Sequence, residues 1–269
     1  MADTTAAAFF DLDRTLISGS SAYYFGIAAW RNDMIPLADL LSDARKAIAF
    51  KLFGATDESS EQVRDRILAA VEGARQEDLL ALNEEIIPQI LDKIRPESRS
   101  LIDMHHEAGR DCWIVSASPI EMVEPLARAL GMEGAIATRS AVDASGRYTG
   151  HLDGPFVYGE GKAVAIAALA EERGYELQLC YSYSDSASDL PMMEMVGHPV
   201  AVNPDGPLEN VANQRGWPIV VFAQRVKKVV KTTTAVGGAV GLATTTYALG
   251  RRHGRIAAQA ARGALLPWR

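Results

Sequence analysis

Two carboxylates follow an apolar run near the beginning of the chain, in the stretch Phe9-Phe10-Asp11-Leu12-Asp13-Arg14-Thr15-Leu16. The apolar run predicts a buried strand, and the acids predict that this strand ends at a site. Asp11 and Asp13 are two residues apart, so a chain that leaves the sheet can bring both carboxylates over one point. One of them can then attack a substrate while the other moves protons. A strand followed by an Asx turn and a helix start would have the same pattern, so the rest of the chain must decide.

The composition is that of a globular protein, but its charge is unevenly placed. Of the 269 residues, 48% are apolar and 23% are charged, which is enough to bury a core. Residues 225–269 contain nine Lys or Arg and no acid, whereas residues 1–224 contain 18 basic and 34 acidic residues, a net charge of −16. An acidic body disfavours nucleic acid as a partner.

Cysteine and histidine usage indicates a reducing compartment and no metal site of the zinc-finger kind. Cys112 and Cys180 are the only cysteines, and the five His show no metal-ligand spacing. His105 and His106 lie on a predicted helix away from any strand end, so we expect both at the surface. The apolar residues before Asp11 follow no basic segment, so we expect no cleaved signal peptide and a cytoplasmic protein.

Residues 18–95 predict an inserted domain made of helices. Apolar residues recur at helical spacing, for example at Leu79, Leu82, Ile86 and Ile90, and no strand-like alternation interrupts them. An insertion of this length exceeds what a crossover between strands needs. We interpret it as a cap that folds over the site, with a helical subdomain that serves packing alone as the alternative.

Strands and helices alternate from Pro96 onward. Short buried strands are predicted at Asp111–Ser116, Leu179–Ser184 and Pro199–Val202, and a β-hairpin at Thr138–Leu152. This alternation predicts an α/β fold with a doubly wound parallel sheet. The predicted domains are a catalytic core (residues 1–17 and 96–224), a helical cap (18–95) and a basic tail (225–269).

The chemically distinctive side chains fall at the ends of the predicted strands, where such sheets bind ligands. In chain order they are Asp11, Asp13, Ser116, Lys162, Asp185 and Asp189. Lys162 lies just inside a predicted helix start, which is unfavourable for a cation, so something else must hold it there. Ser116 is also typical of a turn, and Asp185 with Asp189 of an N-cap and a solvated helix face.

In order and spacing, these residues resemble the four motifs of haloacid dehalogenase superfamily phosphatases. The motifs are Asp11-Leu12-Asp13-Arg14-Thr15, Ser116 after Trp113-Ile114-Val115, Lys162, and Ser184-Asp185-Ser186-Ala187-Ser188-Asp189-Leu190. The resemblance covers residues 5–222. The helical insertion after the first motif is similar to the cap of the phosphoserine-phosphatase-like branch, subfamily IB.

The resemblance implies a phosphomonoester hydrolase that acts through an aspartyl-phosphate on a small phosphorylated metabolite. Asp11 would attack phosphorus, and Asp13 would protonate the leaving alcohol and then take a proton from water. Asp11, Asp13 through its backbone carbonyl, and Asp185 would hold Mg²⁺, and Asp189 would steady it.

The resemblance also implies roles for the remaining two residues and a strand order. Ser116 and Lys162 would bind phosphoryl oxygens and offset their negative charge. The strand of Asp11 would lie between the strands of Cys112 and Cys180. Two strand spacings, roughly 9–10 Å, exceed the reach of a disulfide at about 7 Å, so we expect both thiols to be free.

Three positions depart from the phosphoserine enzymes. Ser20 stands where those enzymes carry a Glu that binds the substrate amine. Ser188 replaces an Asn before the last motif Asp, and Ala117-Ser118 replaces a Gly-Gly pair. These departures argue against phosphoserine itself as the substrate.

The tail predicts contact with a membrane or a partner. Thr232–Gly250 carries no charge over 19 residues, and a helix of that length, about 28 Å, nearly matches a hydrocarbon core of roughly 30 Å. Basic residues flank it, and Gly237 with Gly241 would let two helices approach closely, as in a homodimer. Attachment to the inner face of the membrane, packing against a partner and a tail with no fixed partner are the alternatives.

The tail also leaves a second activity open. A membrane-associated phosphatase of a lysophospholipid or another amphiphilic phosphate would use the same motif residues. A non-catalytic phosphate-binding or scaffold protein is a third alternative, against which the complete set of Asp11, Asp13, Lys162 and Asp185 argues.

Overall fold

The central strand of the protein is β1 (Ala7–Asp11), whose five residues are all buried. The computed structural model describes residues 5–32, 34, 64–65, 68–69 and 71–222. Because both faces of β1 are covered, its sequence is a continuous apolar run rather than an alternating one. β1 pairs in parallel with β2 (Asp111–Pro119) on one side and with β6 (Tyr181–Ser184) on the other.

The remaining strands extend this sheet in both directions. β3 (Gly134–Thr138) pairs with β2, while β7 (His198–Val202) and β8 (Ile219–Val220) follow β6, which gives the order β3-β2-β1-β6-β7-β8. All of these pairings are parallel. The predicted doubly wound parallel sheet is confirmed, and so is the position of β1 between β2, which carries Cys112, and β6, which directly follows Cys180. Both cysteines are free and buried.

Successive residues of each strand point to opposite sides of the sheet, so each strand presents side chains to both faces. Helices cover both of these faces. Phe10 packs with Ile114 in one core, and Phe9 packs with Trp113 in the other. The named helices are α1 (Ser21–Arg31), α2 (Gln76–Ala81), α3 (Asn83–Leu91), α4 (Pro96–Glu107), α5 (Ile120–Ala129), α6 (Glu160–Arg173), α7 (Leu190–Glu194) and α8 (Gly206–Arg215). None of the helices in the described part of the chain is long and apolar enough to cross a bilayer.

The predicted hairpin is present, and backbone hydrogen bonds connect it to the predicted helical insertion. Its strands are β4 (Ser140–Val142) and β5 (Tyr148–Leu152). The backbone N–H of Gly73 donates to Tyr148 O at 2.9 Å, and the N–H of Tyr148 donates to Ala74 O at 3.0 Å. The apolar cluster formed here contains Val71, Leu79 and Tyr148.

The helical pattern predicted before Pro96 is present where the chain is described. Leu79 and Leu82 are buried at the junction of α2 and α3, and Ile86 and Ile90 are fully buried in α3. The cap boundaries, residues 18–95, stay a prediction because residues 35–63 lie outside the described residues. The whole predicted tail, residues 225–269, lies outside them as well.

Two local predictions need correction. The strand predicted from Leu179 begins at Tyr181, after a short helical turn. His105 is wrong as a surface residue: it is fully buried.

His105 is buried because the fold satisfies both of its ring nitrogens. Arg110 Nε donates to His105 Nδ1 at 2.8 Å, so the neutral ring carries its proton on Nε2 and donates to the Tyr183 hydroxyl at 2.8 Å. Burial, together with the nearby Arg110 and His106, lowers the pKa of His105 to about 4. A helix and a strand 78 positions apart in sequence are thus joined by a neutral histidine.

Candidate active site

The first two carboxylates lie where β1 gives way to a tight turn. Asp11 is the last residue of the strand, and the turn Leu12–Leu16 follows at once, with Arg14 at a φ of 63°. This turn directs Asp13 to the start of α1, where it accepts hydrogen bonds from Ser21 N at 2.6 Å and Ser21 Oγ at 3.1 Å. A helix N-terminus is a favourable place for a carboxylate.

Lys162 connects the first and last motifs. Its Nζ lies 2.6 Å from Asp11 Oδ1 and 2.8 Å from Asp189 Oδ2, and its side chain is 4% exposed. Ser184 Oγ donates to the same Asp189 oxygen at 2.7 Å. The two ion pairs of Lys162 explain why a lysine lies at the N-terminus of α6. Its attraction to two buried carboxylates outweighs its unfavourable interaction with the helix dipole.

Close packing of the backbone at the start of α6 determines the position of Lys162. It is the third residue of α6, directly after Gly161. A Cβ atom at Gly161 would lie 1.8 Å from the carbonyl oxygen of Phe156, so only glycine allows the chain to approach so closely.

Asp185 and Ser116 lie on either side of Asp11. Phe10 is the register partner of Tyr183, so the end of β6 and the following Asp185 lie beside the end of β1. Asp11 is the register partner of Val115, so Ser116 is the next residue along β2. Five of the six predicted site residues therefore come from the carboxyl ends of three adjacent strands and from the turns that follow them, and Lys162 comes from the N-terminus of α6, which follows the hairpin.

Burial raises the pKa of three of the site carboxyl groups, and repulsion from neighbouring carboxylates adds to the rise for Asp11 and Asp185. Burial raises the pKa of Asp11 to about 8, with Lys162 acting in the opposite direction and Asp189 and Asp13 adding to the rise. Burial likewise raises the pKa of Asp185 to about 6, although Arg14 Nη2 lies 2.7 Å from its Oδ2. Burial raises the pKa of Asp13 too, against the hydrogen bonds from Ser21.

Lys162, in contrast, stays charged. Burial alone would lower its pKa, but Asp11 and Asp189 reverse this effect and raise the pKa above its ordinary value. Additional positive charge at the site would therefore lower the pKa of Asp11 and favour its ionised form at neutral pH.

The carboxylates suit a divalent cation. Among the described residues, four carboxylates (Asp11, Asp13, Asp185 and Asp189) face two cationic side chains (Arg14 and Lys162), which leaves two negative charges when all are ionised. Asp189 Oδ1 is buried and has no hydrogen-bond partner within the described residues. Mg²⁺ prefers such hard oxygen ligands, so the residues present fit it.

Two serines that the motifs do not assign connect the second motif to the first. Ser118 N donates to Ser116 Oγ at 3.2 Å, and the hydroxyls of Ser118 and Ser21 are 2.8 Å apart. Ser21 in turn donates to Asp13. The sequence signal for this series of hydrogen bonds was the replacement of Gly-Gly by Ala117-Ser118. Ser21 carried no sequence signal beyond its place at a helix start.

Comparison with known proteins yields a family model and named relatives. The model, described as haloacid dehalogenase-like hydrolase, matches residues 8–194 and so includes all six site residues. The phosphoserine phosphatase SerB1 of Mycobacterium tuberculosis is 39% identical over 264 residues, which are 97% of this chain and 82% of that protein. A histidinol-phosphatase of Neisseria meningitidis is 31% identical over 219 residues, 80% of this chain and 98% of that protein.

Solved structures share the architecture. A protein of unknown function from Bordetella pertussis Tohama I is 29% identical, has a TM-score of 0.71 and matches 81% of this chain and 98% of its own. A substrate-bound phosphoserine phosphatase has a TM-score of 0.59 at 18% identity over 81% of this chain and 92% of its own. The second likeness concerns the fold alone.

Proposed function

Because the chain belongs to the haloacid dehalogenase-like hydrolase family, we propose that it is a Mg²⁺-dependent phosphomonoesterase that acts through an aspartyl-phosphate at Asp11. The observation that carries this proposal is the clamp of Lys162 between Asp11 and Asp189, with Asp13 held beside it by Ser21. In this arrangement Asp11 would serve as the nucleophile, and Asp13, which Lys162 does not contact, would move a proton.

The proposed reaction consists of two displacements at phosphorus. An Asp11 oxygen forms a bond to phosphorus as the ester P–O bond breaks, and Asp13 gives its proton to the departing alkoxide. Water then attacks the aspartyl-phosphate, Asp13 takes the water proton, and the bond between Asp11 and phosphorus breaks to release phosphate. Because burial raises the pKa of Asp13, this side chain can hold the proton that the first step needs.

The remaining residues bind charge. Mg²⁺ held by Asp11, the Asp13 carbonyl and Asp185, and steadied by Asp189, would supply the positive charge that keeps Asp11 ionised. Lys162 and Ser116 would bind phosphoryl oxygens, because both lie at the end of the sheet where Asp11 would meet the substrate.

The substrate proposed is a small phosphorylated metabolite. The two relatives reported above are named as a phosphoserine phosphatase and a histidinol-phosphatase, and both names refer to small phosphomonoesters. Ser20 is exposed in front of α1 and carries no charge to pair with a substrate amine, which disfavours phosphoserine. We further propose residues 18–95 as the cap, because Ser21 of α1 directly contacts Asp13.

Substitution of the two acids tests the mechanism. Asp11→Asn should abolish phosphate release and the hydroxylamine-sensitive phosphoenzyme, because an amide is no nucleophile. Asp13→Asn should lower turnover by roughly 10²–10⁴ while still binding phosphate. The measurement is phosphate release with Mg²⁺ from phosphoserine, histidinol phosphate and lysophosphatidic acid.

Asp103→Asn is the matched control, because Asp103 is exposed on α4. Near-normal turnover by Asp11→Asn would refute the mechanism. If the wild type binds phosphate but releases no phosphate from any of the three esters, a non-catalytic phosphate-binding protein is favoured instead.

A membrane-associated phosphatase of an amphiphilic phosphate is the second candidate. It is favoured by the nine basic and no acidic residues in 225–269 and by the uncharged run Thr232–Gly250. Basic side chains would attract anionic headgroups while the uncharged run inserts. A homodimer through Gly237 and Gly241 would use the same segment.

Deletion of residues 232–269 tests this candidate. Full-length protein should co-sediment with anionic vesicles and the truncated protein should not, while activity on a small phosphomonoester stays nearly unchanged because no motif residue lies beyond Asp189. Full-length protein that ignores anionic vesicles would contradict membrane attachment. A truncation that unfolds the body would show that the tail packs on it.

A further inference from the structure

We propose that His106, Cys112 and Glu133 form a binding site for a thiophilic divalent cation such as Zn²⁺, separate from the phosphatase site. The ligand atoms of these residues all lie within 4.8 Å of one another. His106 is in the last turn of α4, Cys112 is the second residue of β2, and Glu133 directly precedes β3. The site therefore lies at the amino ends of β2 and β3, whereas the phosphatase residues lie at the carboxyl ends.

The spacing suits one small ion. His106 Nε2 is 3.5 Å from Glu133 Oε2. Bond lengths of 2.0–2.3 Å to a tetrahedral zinc ion place its ligand atoms roughly 3.3–3.6 Å apart. The side chains of His106 and Glu133 are each 32% exposed, so they have room for the small rotations that would close the site.

An unpaired nitrogen points to the ligand. His106 Nε2 is shielded from solvent and has no hydrogen-bond partner among the described residues, although Glu133 is near. The Glu133 oxygen facing it accepts a hydrogen bond from the Cys112 backbone N–H instead. The Cys112 thiol is itself held only by long contacts of 3.9 Å, to the carbonyl oxygens of Ile102 and Arg110. A buried polar atom without a partner requires an explanation, and a metal bond provides one.

The donor set selects the class of cation. A thiolate and an imidazole prefer zinc-like ions, while Mg²⁺ prefers an all-oxygen site such as that of Asp11 and Asp185. On binding, the Cys112 thiol loses its proton to solvent and the sulfur forms the metal bond. The charges of a thiolate and the Glu133 carboxylate then balance a divalent ion. Three protein ligands leave the fourth position to water.

Co²⁺ is the probe, because a bound thiolate gives a near-ultraviolet charge-transfer absorption that carboxylate ligands do not give. Full-length protein is stripped with a chelator, dialysed and titrated with Co²⁺ in excess Mg²⁺. We expect one equivalent of Co²⁺ to produce the band and one equivalent of Zn²⁺ to remove it. The readout does not use activity, so it is independent of the proposed phosphatase function.

The variants separate this site from nonspecific thiol binding. Cys112→Ser should lose the band, while Cys180→Ser, which changes a buried cysteine on the other side of β1, should keep it. His106→Gln and Glu133→Gln change partly exposed residues and should weaken Co²⁺ binding by at least about tenfold, so the test stands even if Cys112→Ser does not fold. No band in the wild type, or full affinity in His106→Gln, would overturn the proposal.

Discussion

Replacement of Lys162 by Met tests whether the buried charge cluster stabilises the carboxyl end of the sheet. The substitution keeps most of the side-chain volume but leaves Asp11 and Asp189 without their cation. Removal of one partner from a buried ion pair costs about 3–5 kcal/mol. For a body of this size that corresponds to a loss of roughly 6–20 °C in Tm.

The pH dependence identifies the cause. Burial raises the pKa of Asp11 to about 8 in the folded protein, from an ordinary value of 3.8. A raised carboxyl pKa means that the folded state binds the proton more tightly, so its stabilising effect is present at low pH and is lost as pH rises through about 8. At pH 5 Asp11 is protonated with or without Lys162. The cost of Lys162→Met should therefore be smaller at pH 5 than at pH 8.

Urea unfolding in the presence of a chelator measures both quantities. Lys93→Met, at an exposed position, is the control and should change stability by less than about 0.5 kcal/mol. Asp189→Asn in the Lys162→Met background should recover part of the lost stability, because it removes one of the two buried carboxylates that Lys162→Met leaves without a cation. A loss below about 1 kcal/mol, or an equal loss at both pH values, would refute the charge-cluster explanation.

Two further predictions concern the fold around the site. Burial lowers the pKa of His105 to about 4 from 6.5. As pH falls from 6.5 towards 4, the unfolded chain therefore binds the proton before the folded protein does, and the protein should lose stability. His105→Gln should reduce that loss by up to roughly 3 kcal/mol, measured from urea midpoints across this pH range. Gly161→Ala should destabilise the protein by at least roughly 1–3 kcal/mol and lower activity, since its Cβ would meet Phe156 O at 1.8 Å. Gly206→Ala is the control, with no atom within 4 Å of the added Cβ, and equal melting temperatures for the two alanine variants would contradict the clash.

The sheet could be predicted from the sequence because its signals are local. β1 is a short apolar run that ends in Asp11, and Asp185 directly follows the largely buried strand β6. Parallel strands bring their carboxyl ends to one edge, so residues that are distant in sequence could be placed together without knowledge of any contact. Lys162 was recognisable because a cation at a helix start needs a compensating charge.

The missed features depend on contacts between distant segments. The burial of His105 requires Tyr183, which no periodicity in α4 reveals. The contact between Ser21 and Ser118 spans 97 positions and involves two hydroxyls that are ordinary helix-start and turn residues. The ligand atoms of His106, Cys112 and Glu133 have no recognisable sequence spacing, because three different elements bring them together.

The register of the sheet is what determines the geometry of the site. Asp11 is level with Val115 of β2, and Phe10 is level with Tyr183 of β6, so Ser116 and Asp185 each follow the residue beside Asp11, the proposed nucleophile. A slip of one residue would move either side chain by about 3.3 Å and turn it to the other face of the sheet. Productive catalytic geometry tolerates only about 0.5 Å. Since Phe10 and Phe9 of β1 pack in separate apolar cores, a slip of one residue would exchange the side chains that β1 places in the two cores and disrupt the packing of both. The same packing that stabilises the fold therefore holds the proposed site residues in place.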